Sequence, residues 1–290
     1  MTSITSKVIE SRARERQSDL MSTASTFADQ LRTWRNRRRL SQLALASDAG
    51  LSQRHLSFLE SGKARPSRDM VERLAVHLAI PPRETSALLV AAGFAPLAET
   101  RAIDHPEMEI ALGVVEMILN GHAPHPSIAV DRHWTLLRAN AAARFLLAGV
   151  TPTLLAGPVN VLRVSLHPDG LAPRILNFRQ WRSHILHRLS AQVETSGDTE
   201  LAALHDEIAS YPVPPGARPY RPFGEDRHAG IAIPLQLASV AGTLSFLSTT
   251  TVFGTAVDIQ LSELVIESFF PADAETAAVM TRIAAQDEPA

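Results

Sequence analysis

The sequence predicts an α+β multidomain protein: an all-α N-terminal domain of five short helices, then an α+β domain with an antiparallel sheet. Three observations carry this. Five helical patterns follow one another from Phe27 to Ala92. A loop-like stretch from Gly93 to Pro106, carrying Pro96 and Pro106, then breaks the pattern. Stretches rich in β-branched and aromatic residues concentrate after position 230. The chain has 290 residues, 45% of them apolar, enough to bury two cores. The expected organisation is a flexible segment over 1–25, with Met21 as an alternative start, a helical domain over 26–96, a linker over 97–106, and the α+β domain over 107–285.

Within the second domain, Glu107–Asn120 repeats apolar residues at helical spacing behind Pro106, a favoured first-turn residue. Ser127–Val130 and Thr135–Ala139 are expected as two short strands around Asp131-Arg132-His133. Asn140 then caps a helix over Ala141–Ala148. Helical patterns follow at Val159–Leu166, at Phe178–Val193 with Asn177 as its cap, and at Thr199–Ser210. Pro212, Pro214, Pro215, Pro219 and Pro222 then impose a loop. Gly230–Ala238, Thr243–Val252 and Val257–Phe269 are expected as an antiparallel three-stranded meander, and Asp273 caps a last helix through Ile283.

Composition narrows the function classes. Cysteine is absent, which excludes disulfides, Cys-ligated metal centres and thiol catalysis and fits a reducing interior. No run of 18 apolar residues occurs and the first twenty residues are polar, so the expected location is the cytoplasm, with no membrane partner. The net charge of −2 conceals an asymmetry. Residues 1–96 hold 15 Lys+Arg against 9 Asp+Glu, whereas residues 97–290 hold 13 against 21. The basic part is where a polyanion would dock, although a modest surplus also suits an ordinary helical surface.

The most informative segment runs from Gln42 to Ser61. Ala46 is small where a second helix must cross closely, and Gly50 ends the first helix where a left-handed backbone is needed. Leu51, Leu56 and Leu59 bury one face of the second helix. Ser52 caps it and leaves Gln53, Arg54, His55 and Ser57 around its N-terminal part, where a recognition helix enters the major groove. Gln pairs with adenine and Arg with guanine, so Gln53 and Arg54 are the base-reading candidates. Ser41 caps the preceding helix and sets Gln42 in its first turn, within reach of a phosphate, while Lys63 and Arg65 flank the other side. Arg38 and Arg39 suit either the C-terminal end of the first helix or a phosphate.

On these residues the segment 27–92 resembles the lambda-repressor-like, or XRE-type, helix-turn-helix domain. Ser41-Gln42, Ala46, Gly50, Leu56, Leu59, Glu60, Gly62 and Pro66-Ser67 stand where that family's pattern expects them. The resemblance implies a double-stranded DNA operator as partner and an internal Arg35–Glu60 pair. Phe58 departs from the usual polar residue; packing against the first-helix arginines and contact with a thymine methyl are its two readings. A domain of this size reads few base pairs, so a homodimer is expected.

The element order of the second domain is that of a PAS-like sensor. Val130-Asp-Arg-His-Trp134, Asn160-Val-Leu-Arg163, Leu166-His-Pro-Asp-Gly170, Asn177-Phe-Arg-Gln-Trp181 and Leu244 through Gly254 resemble the ligand-binding domain of MmyB-like regulators. That resemblance, over 104–280, implies a modified PAS fold able to hold a fatty-acid-like molecule. The candidate walls are Trp134, Phe145, Leu162, Trp181, Ile185, Ile233, Leu244 and Phe246, with Arg163 and His184 as candidate anchors for a ligand carboxylate. Each also fits a plain core or surface role.

No cofactor, catalytic residue or metal ligand is assigned. His122-x-x-His125 is broken by Pro124. His184-x-x-His187 lacks a nearby acidic ligand, His205-Asp206-Glu207 reads as a solvated helix face, and no nucleophile or phosphate-loop motif occurs. The expectation is a non-enzymatic, ligand-responsive DNA-binding regulator, with a DNA-binding protein whose second domain only dimerises as the alternative.

Overall fold

The computed structural model describes residues 25–97, 106–220, 233–253 and 258–287. The flexible lead-in expected before Ser25, the linker positions 98–105, Pro222, residues 230–232, Gly254 and Val257 fall outside them. The chain divides into two compact units, Met1–Leu97 and Ala98–Ala290.

The first unit contains α1 (Phe27–Arg37), α2 (Gln42–Asp48), α3 (Gln53–Glu60), α4 (Arg68–His77) and α5 (Pro82–Ala91). Thr26, Ser41, Ser52 and Ser67 each cap a helix by accepting a backbone N–H through the hydroxyl, and Pro82 opens α5 at the position where its missing N–H costs nothing. Leu31, Leu45, Leu56, Leu59, Val71 and Leu74 are fully buried in one core. Between α2 and α3, Gly50 adopts φ +67° and Leu51 N–H closes onto the Ala46 carbonyl at 2.8 Å. Arg37 and Arg38 lie over the Trp34 ring, each 5.1 Å from its centroid. Arg38 also donates to the Leu78 and Ala79 carbonyls at 2.7 and 2.8 Å, so its guanidinium closes the end of α4.

The second unit opens with α6 (Pro106–Gly121), β1 (Ser127–Val130), β2 (Leu136–Ala139) and α7 (Ala141–Leu146). It continues with α8 (Val161–Leu166), α9 (Phe178–Ser196), α10 (Thr199–Ser210), β3 (Leu235–Ser239) and β4 (Gly242–Val252), then α11 (Ile259–Ser262), β5 (Val265–Pro271) and α12 (Ala274–Asp287). The strands form one antiparallel sheet in the order β2-β1-β5-β4-β3. The expected meander β3-β4-β5 is present, and it joins the β1-β2 hairpin through Ser127 opposite Ser268. One face of the sheet packs on α6 through Leu112, Val115, Leu119 and Ile266. The other face meets the larger core, which takes in residues from α7 to α10.

Two sequence expectations need correction. The stretch Val257–Phe269 is not one strand: the Asp258 side chain accepts the Leu261 N–H at 3.2 Å and caps α11, after which Leu264 is buried and β5 begins. Asn177 is not a side-chain cap either. Its amide donates to the Pro234 carbonyl at 2.7 Å and its oxygen accepts the Gln236 N–H at 3.2 Å, tying the start of α9 to β3. Asn140 and Asn160, by contrast, cap α7 and α8 as the sequence implies.

Candidate nucleic-acid interface and apolar cavity

In the first unit, the cap at Ser52 starts α3 so that Leu56 and Leu59 turn inward, leaving Gln53 and Arg54 exposed at its N-terminal end. His55 and Ser57 are half-buried, and His55 Nε2 is a buried nitrogen without a hydrogen-bond partner. Lys63 and Arg65 are exposed just beyond α3. Phe58 carries the Arg54 guanidinium 5.4 Å from its ring centroid, while Arg37 and Arg38 of α1 lie over Trp34.

Gln42 sits in the first turn of α2, and its Nε2 donates to Glu60 Oε2 at 2.8 Å. The same carboxylate accepts Arg35 Nε and Nη2 at 2.6 and 3.0 Å. Burial pushes the Glu60 carboxyl up, but hydrogen bonds from Arg35 and Gln42, aided by the nearby positive charge of Arg35 and Arg32, hold it below its ordinary value. One buried carboxylate thereby fixes α1, the N-terminal end of α2 and the C-terminal end of α3 relative to each other.

In the second unit a cavity of about 100 Å³ lies between the sheet and the helices of the larger core. Trp134, Leu162, Trp181 and Ile185 line it, as the sequence suggests, together with Ile128, Phe269 and other apolar side chains. Leu244 and Phe246, fully buried in the same core, and Phe145 and Ile233, partly buried against it, do not line the cavity as expected. Arg163 is placed elsewhere. It makes two hydrogen bonds to Glu207, at 2.8 and 2.7 Å, and that carboxylate also accepts the Tyr211 hydroxyl. His184 lies against Trp181, ring centroids 5.6 Å apart. Burial, then the Arg188 charge, lowers its pKa, so it stays neutral near pH 7.

The polar groups at this cavity are few. Trp181 Nε1 donates to Ser165 Oγ and Trp134 Nε1 to Gln192 Oε1, both at 2.9 Å. Arg188, on α9, stands 4.5 Å from the Trp134 ring centroid and pairs with Glu267 at 2.5 Å. Glu267 lines the cavity, and the sequence reading missed it. Its only signal in the sequence is a lone charge inside the apolar strand Val265–Pro271, at an inward position of a period-two pattern.

Among the described residues one trio has metal-ligand chemistry, His133, Asp198 and Glu200. His133 bridges the two carboxylates at 2.9 and 3.1 Å, and Arg132 Nη1 approaches the same Asp198 oxygen at 3.1 Å. These contacts make it an ion-pair cluster that ties the β1-β2 turn to the start of α10. His122 Nε2 lies 3.2 Å from the Phe269 carbonyl oxygen and its ring packs edge-on against Phe270, while burial lowers the pKa of His125.

Comparison with known proteins fits this division. Residues 26–88 match the family described as "Helix-turn-helix domain", and residues 114–283 match the "MmyB-like transcription regulator ligand binding domain". A helix-turn-helix unit and a ligand-binding domain in one chain define a DNA-binding transcription regulator. This chain belongs to the MmyB-like transcription regulators. No curated protein sequence matches it. One solved structure it is similar to, an RNA-binding light-oxygen-voltage receptor, is 12% identical, with 98% of this chain and 69% of that chain covered and a TM-score of 0.24.

Proposed function

We propose that this regulator reads a specific operator as a homodimer and that its second domain senses a small apolar molecule. The observation that carries the reading is the apolar cavity between sheet and helices, in a chain that also bears an exposed recognition-helix N-terminus. In this reading Gln53 and Arg54 contact base edges, with His55 and Ser57 beside them. The N-terminal end of α2 at Gln42, with Ser52, Lys63 and Arg65, holds the phosphate backbone. The strand order β2-β1-β5-β4-β3 supports a PAS-like sensor. No helix among the described residues is long and apolar enough to cross a membrane, which fits action in the cytoplasm.

The ligand regulates only if it binds two arrangements of the dimer unequally. A cavity of about 100 Å³ is smaller than the roughly 300–1,000 Å³ of ordinary ligand pockets. A long fatty-acid-like chain therefore requires the walls to move apart. The same small volume favours a second reading, in which the domain only dimerises.

Native mass spectrometry of the purified protein, solvent extraction and operator titration before and after extraction separate the two readings. A stoichiometric apolar molecule whose removal shifts operator affinity supports sensing. A dimer with unchanged operator affinity, with or without the extract, supports plain dimerisation.

A further inference from the structure

Glu267 is a charged side chain in a place built for apolar ones. Strand alternation sends Val265, Glu267 and Phe269 to the face of β5 that meets the larger core, while Ile266 points to the α6 side. Glu267 lies opposite Ile128 of β1 and Thr250 of β4, in the middle of the sheet, and is 5% exposed. Arg188 Nη2 and Thr250 Oγ1 both donate to its Oε1, at 2.5 and 3.1 Å, and no hydrogen bond reaches Oε2. Glu267 lines the cavity, so Oε2 is the acceptor left for a molecule held there.

We propose that Glu267 is the polar anchor of the cavity and that the cavity selects a small neutral molecule bearing a hydroxyl, a phenol in chemical class, over one bearing a carboxylate. The proposal rests on the sensing function above. Arg188 already balances the Glu267 charge, so the pair is neutral and attracts no second cation. A ligand hydroxyl donates to Oε2 and completes its hydrogen bonding. A ligand carboxylate has no proton to donate and would set its acceptor oxygens against Oε2, and the two cations the sequence suggested as its partner do not serve: Arg163 is committed to Glu207, and burial lowers the pKa of His184. The walls supply the rest of the match. Trp134, Trp181 and Phe269 surround the space with aromatic surface, and a cavity of about 150 Å³ is known to hold one benzene ring. Single-ring molecules thus fit with small adjustments of the walls.

Calorimetric titration of the full chain with phenol, toluene and benzoate tests this. Phenol is expected to bind at least ten-fold tighter than toluene, with benzoate weakest. Glu267→Gln keeps an acceptor and removes the charge, so phenol is retained and benzoate gains. In the double variant Glu267→Leu, Arg188→Leu, which removes the buried pair together and guards against an orphaned charge, the advantage of phenol over toluene disappears. Benzoate binding as tightly as phenol, or toluene equal to phenol in the natural protein, overturns the anchor and leaves sensing intact. Binding of none of the three overturns the anchor and small-apolar-molecule sensing together.

Discussion

Arg35 on α1 and Glu60 at the end of α3 meet through two hydrogen bonds, at 2.6 and 3.0 Å, with Glu60 almost fully buried. The Arg35→Ala change leaves that carboxylate without its main partner and is expected to destabilise the helix-turn-helix unit by about 3–5 kcal/mol. Chemical denaturation followed by Trp34 fluorescence measures it; a loss under 1 kcal/mol contradicts this role.

The same pair has a pH signature. The folded-state pKa of Glu60 is depressed, so its stabilisation is present above the unfolded value of about 4.3 and is lost as pH falls through the folded value. Melting curves of the natural protein and Glu60→Gln are expected to lie apart near pH 7 and to converge as pH falls through the depressed folded value. A gap that widens on acidification is the opposite result.

Asn140 organises the entry to the sheet. Its oxygen accepts Ser127 N–H and Ala143 N–H at 3.1 and 3.0 Å, and its amide donates to the Leu119 and His125 carbonyls at 3.1 and 2.8 Å. Asn140→Ala strands these groups in a buried site and is expected to cost about 2–4 kcal/mol, measured by urea denaturation.

Gln53→Ala and Arg54→Ala are expected to weaken selected operator DNA by about 1–3 kcal/mol while leaving random DNA little changed. Lys63→Ala is expected to weaken both alike and to lower the salt slope by about one. Fluorescence anisotropy at several salt concentrations distinguishes them, and equal losses on both DNAs for the first two variants remove their base-reading role.

Gly170 tests the packing beside the cavity. A Cβ built there falls 2.2 Å from the Val164 carbonyl oxygen, at the helix that carries Leu162. Gly170→Ala is expected to lower the melting temperature of the second unit even though the residue's φ does not demand glycine. An unchanged melting profile shows that α8 shifts at no cost.

Local chemistry was legible in the residues themselves, and long-range chemistry only where a family resemblance supplied it, as for Arg35 and Glu60. Ser41, Ser52, Asn140 and Asn160 cap helices within three residues of themselves, so their roles follow from position. Asn177 looks the same in sequence, yet its partners Pro234 and Gln236 lie more than fifty residues away and decide its geometry. The cavity followed the same rule. Its aromatic walls are large enough to be expected inside wherever they fall, which is why Trp134 and Trp181 could be named. Arg163 and Glu267 required knowing which face of a helix or strand turns inward, and that depends on packing partners distant in sequence.

The position of β5 in the middle of the sheet has a consequence for synthesis. Ser127 must await Ser268 before β1 can pair with it, so the sheet closes only after the last strand has left the ribosome. Every core residue of the helix-turn-helix unit precedes Leu97. At ordinary translation speeds of about 5–20 residues per second, roughly ten to thirty seconds separate the two events. During that interval the nascent polypeptide carries the complete helix-turn-helix unit, while the sheet of the ligand-binding domain still lacks its central strand.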